Sequence, residues 1–153
     1  MSKRLLITLI VSVIIVLDFI TKKIILATVR IHDSIDVLPF LRIVHVENPG
    51  AAFGSFTGLG NNIFIIISII AIIFILVYLS KIHQKLEFVS LSLVLGGAVG
   101  NLLDRIQIGK VIDFIDFYVG SWHWPAFNVA DSALTVGIIL FLIANFTHGH
   151  KKV

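Results

Sequence analysis

The stretch from Gly100 to Ser132 concentrates polar side chains between two long apolar runs, each with the character of a membrane span. Charge held so close to hydrocarbon is costly, and in a membrane protein it is by default a reason to suspect a functional site. The side chains concerned are Asp104, Arg105, Asp113, Asp116 and Asp131, accompanied by the amides Asn101 and Asn128.

Two carboxylates that share one proton can activate water. The ionised one accepts a proton from the water, and the protonated one donates towards a carbonyl or a leaving amine, with no metal required. Asp131 is the firmest candidate, because it stands at the start of an apolar helix. Its partner is open: Asp104 could instead pair with the neighbouring Arg105. Asp113 and Asp116 would share a face in a helix but point to opposite sides in a strand.

The composition indicates a single membrane domain, since 58% of the 153 residues are hydrophobic and only 14% are charged. The first apolar run resembles a signal peptide, but no small-residue cleavage site follows it, so we interpret it as a retained helix. Asn128 is a good N-cap for the last helix and places Asp131 in its first turn. The predicted spans cover about 5–28, 63–79, 88–103 and 128–146.

Two predicted connections, about 30–62 and 104–127, lie outside these spans. The first alternates polar and apolar residues and then becomes glycine-rich, which predicts short strands and turns. Such a backbone cannot face lipid, so it must lie outside the hydrocarbon or be buried in protein. The second is rich in aromatic residues such as Trp122 and Trp124, which suit a membrane interface.

Two helices carry further patterns. Asp18 and Lys22 are spaced i, i+4 with the acid first, the favourable order for a helical pair. A structural ion pair and a direct contact with substrate are both open for Asp18. In the third helix Ser92, Gly96 and Gly100 recur at every fourth position, which predicts a face for close helix packing.

Four spans place both termini on the same side of the membrane. The lysines and arginines near the helix ends divide evenly between the two sides, so their number does not decide the orientation. We favour cytoplasmic termini, because the basic residues on that side stand largely alone.

Several function classes are excluded or disfavoured. The absence of cysteine excludes a thiolate nucleophile and Cys-ligated zinc, and the scattered basic residues give no nucleic-acid surface. No H-E-x-x-H motif supports a metalloprotease, and we expect no metal and no cofactor. The histidines receive no role; His32, His45 and His83 are predicted to be surface groups, and His123 an interface residue.

Two alternatives remain to be weighed. A serine intramembrane protease would use Ser55 as its nucleophile, but Ser55 lacks a G-x-S-x-G context and no histidine lies inside a predicted span. A small transporter or assembly subunit would use the intramembrane acids to carry protons or to pair helices.

Five short blocks follow one another along the chain: DFITK from Asp18, NPGAAFG from Asn48, GNLLDR from Gly100, VIDFID from Val111 and FNVADS from Phe127. Taken together and in this order, they resemble the blocks of the bacterial lipoprotein signal peptidase family, also called signal peptidase II. They extend from the first predicted span to the fourth, so the resemblance covers nearly the whole chain.

The resemblance implies an all-α membrane protein of four transmembrane helices with a small extracytoplasmic β-rich cradle. It implies a monomeric aspartic endopeptidase of the bacterial cytoplasmic membrane, surrounded by membrane lipid, with its active site at the extracytoplasmic face. The implied reaction removes the signal peptide of a prolipoprotein just before its diacylglyceryl-cysteine, without a cofactor.

The same resemblance assigns the catalytic pair to Asp113 and Asp131. Phe114, Phe117 and Phe127 are expected to flank these acids. The matched blocks also carry the positions that would support the pair or contact substrate, namely Asp18, Lys22, Asn48, Gly50, Asn101, Asp104, Arg105 and Asn128.

Overall fold

The computed structural model describes residues 1–50 and 60–149, with side chains as far as Phe146. Four α-helices and four β-strands make up the described chain, and all four helices are long and apolar enough to cross a membrane. In chain order the elements are α1 (Lys3–Thr28), β1 (Ser34–Leu38), β2 (Leu41–Asn48), α2 (Asn61–Lys81), α3 (Lys85–Ile108), β3 (Val111–Val119), β4 (Trp122–His123) and α4 (Val129–Gly149).

The third helix is longer than the sequence predicts. It continues to Ile108 and ends at Gly109, which adopts a left-handed conformation with φ 76° and donates its N–H to the Arg105 carbonyl. Glycine is the residue best suited to this helix-ending geometry. Asp104 and Arg105 therefore lie on the last turns of α3 and not in the connection that follows.

Helix α3 is the centre of the bundle and packs against the other three helices. Its small residues allow the close approach that the four-residue spacing predicts: a Cβ at Gly96 would lie 2.9 Å from Cβ of Ile14 in α1, and one at Gly97 would lie 2.4 Å from the backbone oxygen of Ala130 in α4. Lys3 donates to the carbonyl oxygens of Leu79 and Ile82 and so ties the start of α1 to the end of α2.

The strands form one antiparallel sheet with the order β1-β2-β3-β4. Pro39 lies in the turn between β1 and β2, where its missing N–H costs no ladder hydrogen bond. Ile112 and Phe114 of β3 pack against Ile25 and Val29 at the end of α1. The sheet thus lies at the end of the bundle opposite the chain termini, and the prediction of four helices with a small sheet is confirmed.

Two details depend on the path of the strands. Because β3 is extended, Asp113 and Asp116 project to opposite faces, which answers the question that the sequence leaves open. His45 is buried and its Nδ1 contacts the Val29 carbonyl at 2.8 Å. The prediction of a surface position for His45 is therefore wrong; a register shift in β2 between Ile43 and Val46 includes this residue.

Candidate active site

Asp131 is held by reciprocal capping at the start of α4. The Asn128 side-chain oxygen accepts from the backbone N–H of Asp131 at 2.8 Å. The Asp131 carboxylate in turn accepts from the backbone N–H of Asn128 at 3.3 Å. This arrangement is a capping box, in which two helix-end donors are satisfied at once. It confirms Asn128 as the N-cap and fixes the direction in which Asp131 points.

Asp113 lies on β3 and is only 2% exposed. Its two carboxylate oxygens accept from Asn128 Nδ2 at 2.7 Å and from Asn48 Nδ2 at 3.0 Å. Burial, and then the charge of the neighbouring Asp131, raise the pKa of Asp113 to about 7. The side chain is therefore prepared to hold a proton at neutral pH.

Asn128 joins the two carboxylates, because its side-chain amide donates to Asp113 while its backbone and side chain engage Asp131. Both acids line one cavity of about 470 Å³, together with Asn48, Asn101 and Arg105. The cavity lies between β3, the end of α3 and the first turns of α4. Its remaining walls come from Val111, Trp124, Pro125, Ala126, Phe127, Ser132, Leu134, Thr135 and Val136.

A buried polar network stands behind this cavity. Asn101 donates to Asp131 at 2.7 Å and accepts from Lys22 at 3.1 Å. The Lys22 ammonium also forms ion pairs with Asp18 at 2.7 Å and with Asp104 at 2.8 Å. The part of the cavity wall that the structure describes does not include Asp18, Lys22 or Asp104. For Asp18 this arrangement favours the structural interpretation.

Asp18 and Asp104 also bind the backbone of the elements that carry the two acids. The Asp18 carboxylate accepts from the N–H of Ala130 at 2.9 Å, in the first turn of α4. The Asp104 carboxylate accepts from the N–H of Ile112 at 3.2 Å, beside Asp113 in β3. The ion pair of Asp104 is thus with Lys22 and not with its sequence neighbour Arg105.

Arg105, which lines the cavity, contacts Gly50. The Arg105 guanidinium donates to the Gly50 carbonyl at 3.0 Å and lies over the Phe64 ring at 5.5 Å. The Gly50 N–H donates to the Asn48 side chain at 2.9 Å, which helps to aim Asn48 at Asp113. Residues 51–54 of the NPGAAFG block, and the alternative nucleophile Ser55, lie outside the described residues.

The other acid of β3 belongs to a separate cluster. Asp116 accepts from Arg42 at 2.6 Å and contacts His123 Nδ1 at 3.1 Å on the opposite face of the sheet. Sequence reasoning missed this contact of His123, because its partners come from different strands. Of the three phenylalanines expected beside the acids, Phe127 lines the cavity. The Phe117 ring stacks on the Phe127 ring, with 6.0 Å between the ring centroids, and Phe114 is instead in the hydrophobic core.

Sequence reasoning also missed part of the apolar wall. Trp124, Leu134, Thr135 and Val136 line the cavity, yet nothing in their type or spacing distinguishes them from residues that face lipid. The only available signal is their position next to Asp131 or within the aromatic connection. Taken together, the fold and the cavity define a class: a multi-pass membrane protein with two neighbouring carboxylates in a cavity at one end of its helix bundle.

Comparisons with known proteins agree with that class. The family model described as Signal peptidase (SPase) II matches residues 10–147. The lipoprotein signal peptidase of Janthinobacterium sp. is 47% identical, over 87% of this chain and 83% of its own. That of Syntrophus aciditrophicus is 40% identical over 99% of both chains. A solved bacterial membrane enzyme structure superposes with a TM-score of 0.89 at 39% identity, covering 96% of this chain and 91% of its own.

The chain belongs to the signal peptidase II family. It is an aspartic endopeptidase of that type, and the family is one of bacterial enzymes that cleave the signal peptides of lipoproteins. The resemblance carried by the five sequence blocks is confirmed.

Proposed function

We propose that Asp113 and Asp131 are the catalytic dyad, and that they activate a water to cleave a diacylglyceryl-modified prolipoprotein just before its lipidated cysteine. The observation that carries this proposal is the position of Asn128, which contacts both of the carboxylates that line a single cavity. Asp104 and Asp116 have ion-pair partners elsewhere and do not line that cavity among the described residues.

The two acids have different tasks in this reaction. Asp113, with a pKa raised to about 7, holds the shared proton and donates it to the scissile carbonyl. Asp131 accepts a proton from the water as the water oxygen bonds to the carbonyl carbon. One hydroxyl of the tetrahedral intermediate then returns its proton to Asp113 as the carbonyl re-forms, the C–N bond breaks, and the cysteine nitrogen takes the proton held by Asp131. The products are a peptide carboxyl group and a free amine, and the chemistry needs no metal or cofactor.

The surrounding amides hold the acids in position for these steps. Asn48 and Asn128 fix both oxygens of Asp113, and Asn101 fixes one oxygen of Asp131. Arg105 lines the cavity and is the cation best placed to meet a substrate carbonyl or lipid ester there. Asp18, Lys22, Gly50 and Asp104 act through these residues and through the backbone of β3 and α4.

The same proposal includes the orientation in the bacterial cytoplasmic membrane. At the sheet end of the bundle, ion pairs engage Lys22 with Asp18 and Asp104, Arg42 with Asp116, and Lys110 with Glu47. The basic residues at the other end are thus better able to act as the cytoplasmic signal. The termini are cytoplasmic and the cavity is extracytoplasmic. The chain acts as a monomer, because all the groups required come from one copy.

The lipid on the substrate anchors the scissile bond at the depth of the dyad. Phe127, Leu134 and Val136 give the cavity an apolar wall that continues onto the exposed sides of the helices. A diacylglyceryl group can stay in the bilayer beside these residues, which raises the effective concentration of the peptide bond at the acids.

The test compares one precursor with and without its diacylglyceryl group, using purified enzyme in lipid. We expect kcat/KM to fall by at least ~100-fold for the unmodified precursor, because its effective concentration at the dyad is lost. An unrelated water-soluble peptide serves as the control for general peptidase activity. Equal cleavage of the two precursor forms would contradict the proposed substrate class.

A further inference from the structure

Three asparagines contact the proposed dyad, and each must present the correct end of its carboxamide. The two ends have nearly the same shape but opposite hydrogen-bonding character: the oxygen accepts and the nitrogen donates. Packing alone cannot distinguish them. Each orientation therefore requires a partner that can only donate or only accept.

Backbone groups supply that partner for two of the three. The Gly50 N–H donates to the Asn48 oxygen at 2.9 Å. The Asp131 N–H donates to the Asn128 oxygen at 2.8 Å, and the Ile112 carbonyl accepts from the Asn128 nitrogen at 3.2 Å. These backbone groups have fixed polarity, so both carboxamides are oriented by the fold itself.

Asn101 is different, because its carboxamide has no backbone partner among the described residues. Its nitrogen donates to Asp131 at 2.7 Å. Its oxygen accepts from Lys22 at 3.1 Å and from Asn128 at 3.3 Å. The contact from Asn128 is the longer of the two, and apart from Asp131 itself the charged partner of this carboxamide is a side chain from a different helix, the Lys22 ammonium of α1.

Lys22 is suited to this task. An ammonium has three protons and no acceptor, and here the three are directed to Asp18, Asp104 and Asn101. Lys22 is 2% exposed, so water does not compete for them. If the Asn101 carboxamide were reversed, its NH2 would face the ammonium and its oxygen would face the Asp131 carboxylate. Both contacts would become repulsive.

We propose that Lys22 is a positioning residue for the dyad, which acts by fixing the Asn101 carboxamide so that its NH2 group always faces Asp131. This inference rests on the proposed role of Asp131. It assigns Lys22 an effect on the chemical step, transmitted from α1 through α3 to α4. Asp18 and Asp104 balance its charge, and their own contacts with the backbone of α4 and β3 are a separate support of the site.

The test removes Lys22 while the charge of the cluster stays balanced. The background is Asp18→Asn, in which Lys22 retains Asp104 as its one carboxylate partner, and each Lys22→Met variant also carries Asp104→Asn. At both positions the asparagine oxygen can still accept from the backbone N–H group that the aspartate binds. Lys22→Met is then made in this background, once with Asn101 present and once with Asn101→Leu. Cleavage of the lipid-modified precursor is measured at saturating and at limiting substrate, and tryptophan fluorescence reports folding.

With Asn101 present, we expect Lys22→Met to lower kcat by about 10–100-fold with KM changed by less than about twofold, a size typical of supporting partners of a catalytic group. With Asn101→Leu, the same change should alter kcat by less than about twofold, because the route is already cut. An equal fall of kcat in both series, or no fall in either, would overturn the proposal.

If the methionine variant does not fold, Lys22→Arg and Lys22→Gln in the same background make the same test. Arginine only donates, whereas glutamine can present either end. The arginine variant should have the higher kcat, and a glutamine variant at least as active would overturn the proposal. Asp131→Asn is assayed in parallel. If this variant retains activity, the proposed dyad is wrong. If it is inactive but the effects of Lys22→Met and Asn101→Leu on kcat simply add, the dyad stands and only the role of Lys22 is wrong.

Discussion

At the scale of single residues, the chemistry depends on what the fold does to Asp113. The side chain is 2% exposed and lies beside a second carboxylate, so its ionised form loses water and gains a repulsive neighbour. Two amide donors partly offset this cost. The result is an acid whose pKa is raised from 3.8 to about 7, which suits a group that must donate a proton near neutral pH.

This raised pKa has a consequence for stability. Between about pH 4 and pH 7, Asp113 binds more protons in the native state than it does in the unfolded chain. Its contribution to the free energy of unfolding is therefore present at low pH and is lost as the pH rises through about 7. Asp113→Asn removes the titration. We expect the thermal midpoint of this variant, relative to the parent, to rise from pH 4 to pH 8, equivalent to a few kcal/mol at most.

The measurement is thermal unfolding in detergent, followed by fluorescence of Trp122 and Trp124. Asp131→Asn provides a matched control, because it removes the neighbouring charge while Asp113 stays buried. The thermal midpoint of this variant should depend on pH less than that of the parent does. If the difference in thermal midpoint between Asp113→Asn and the parent stays constant from pH 4 to pH 8, burial does not raise the pKa of Asp113.

At the scale of elements, the site depends on how closely α3 and α4 approach. Gly97 and Gly100 leave room for Ala130, which lies one residue before Asp131. A Cβ at Gly100 would also lie 2.7 Å from the Asp18 carboxylate. Small residues in α3 therefore set the depth of the first turn of α4, and with it the position of the Asp131 side chain.

A pair of alanine substitutions tests this packing. Gly97→Ala would place its Cβ 2.4 Å from the Ala130 backbone oxygen, whereas Gly96→Ala would meet the Ile14 side chain at 2.9 Å. Backbone cannot give way as a side chain can, so we expect Gly97→Ala to cost more, about 1–3 kcal/mol. It should also lower cleavage activity more. Equal thermal midpoints and activities for the two variants would contradict this account of the helix interface.

Hydrophobicity was sufficient to predict the four helices, because a span needs only a long apolar run. It could not predict that α3 would continue through Asp104 and Arg105, since polar residues near a helix end look the same as residues of a loop. The same limit applies to VIDFID, in which only the extended form of β3 separates Asp113 from Asp116. Burial of His45 depends on a strand register that no local pattern encodes.

The start of an apolar helix was enough to single out Asp131 and its N-cap Asn128, but Asp113 as the partner acid was predictable only through the family resemblance. Spacing identified the Asp18 and Lys22 pair, because its members are one helical turn apart. The contact of Lys22 with Asn101 joins residues 79 positions apart on two helices, and that of Asn48 with Asp113 joins residues 65 positions apart. Such partners are created by tertiary packing, so no local pattern in the chain reports them.

At the scale of the whole molecule, the sheet makes the two ends of the bundle different. Apolar side chains such as Ile70 and Phe74 cover the outside of α2 and suit contact with lipid. The sheet with its cavity occupies one end, and the termini with the α2–α3 connection occupy the other. The proposed orientation therefore predicts which residues can be reached from outside the cell.

Single cysteines can test this orientation cleanly, because the chain has none of its own. Val119→Cys is at an exposed position in the sheet, and His83→Cys is at an exposed position between α2 and α3. In spheroplasts, a membrane-impermeant maleimide should label Val119→Cys at once and His83→Cys only after permeabilisation. The reverse order of labelling would contradict the proposed orientation, because it would place the termini outside the cell and the sheet inside.

The most direct test of the account is the cleavage rate of a diacylglyceryl-modified precursor by purified Asp113→Asn, Asp131→Asn and Asp116→Asn. Asparagine keeps the shape of each side chain but cannot exchange the proton, so the first two variants should lose about 100- to 10,000-fold in rate while remaining folded. Asp116→Asn, on the same strand but on the opposite face, should stay within about tenfold of the parent. Cleavage by Asp113→Asn or Asp131→Asn within tenfold of the parent, or an equal loss in Asp116→Asn, would contradict the proposed dyad.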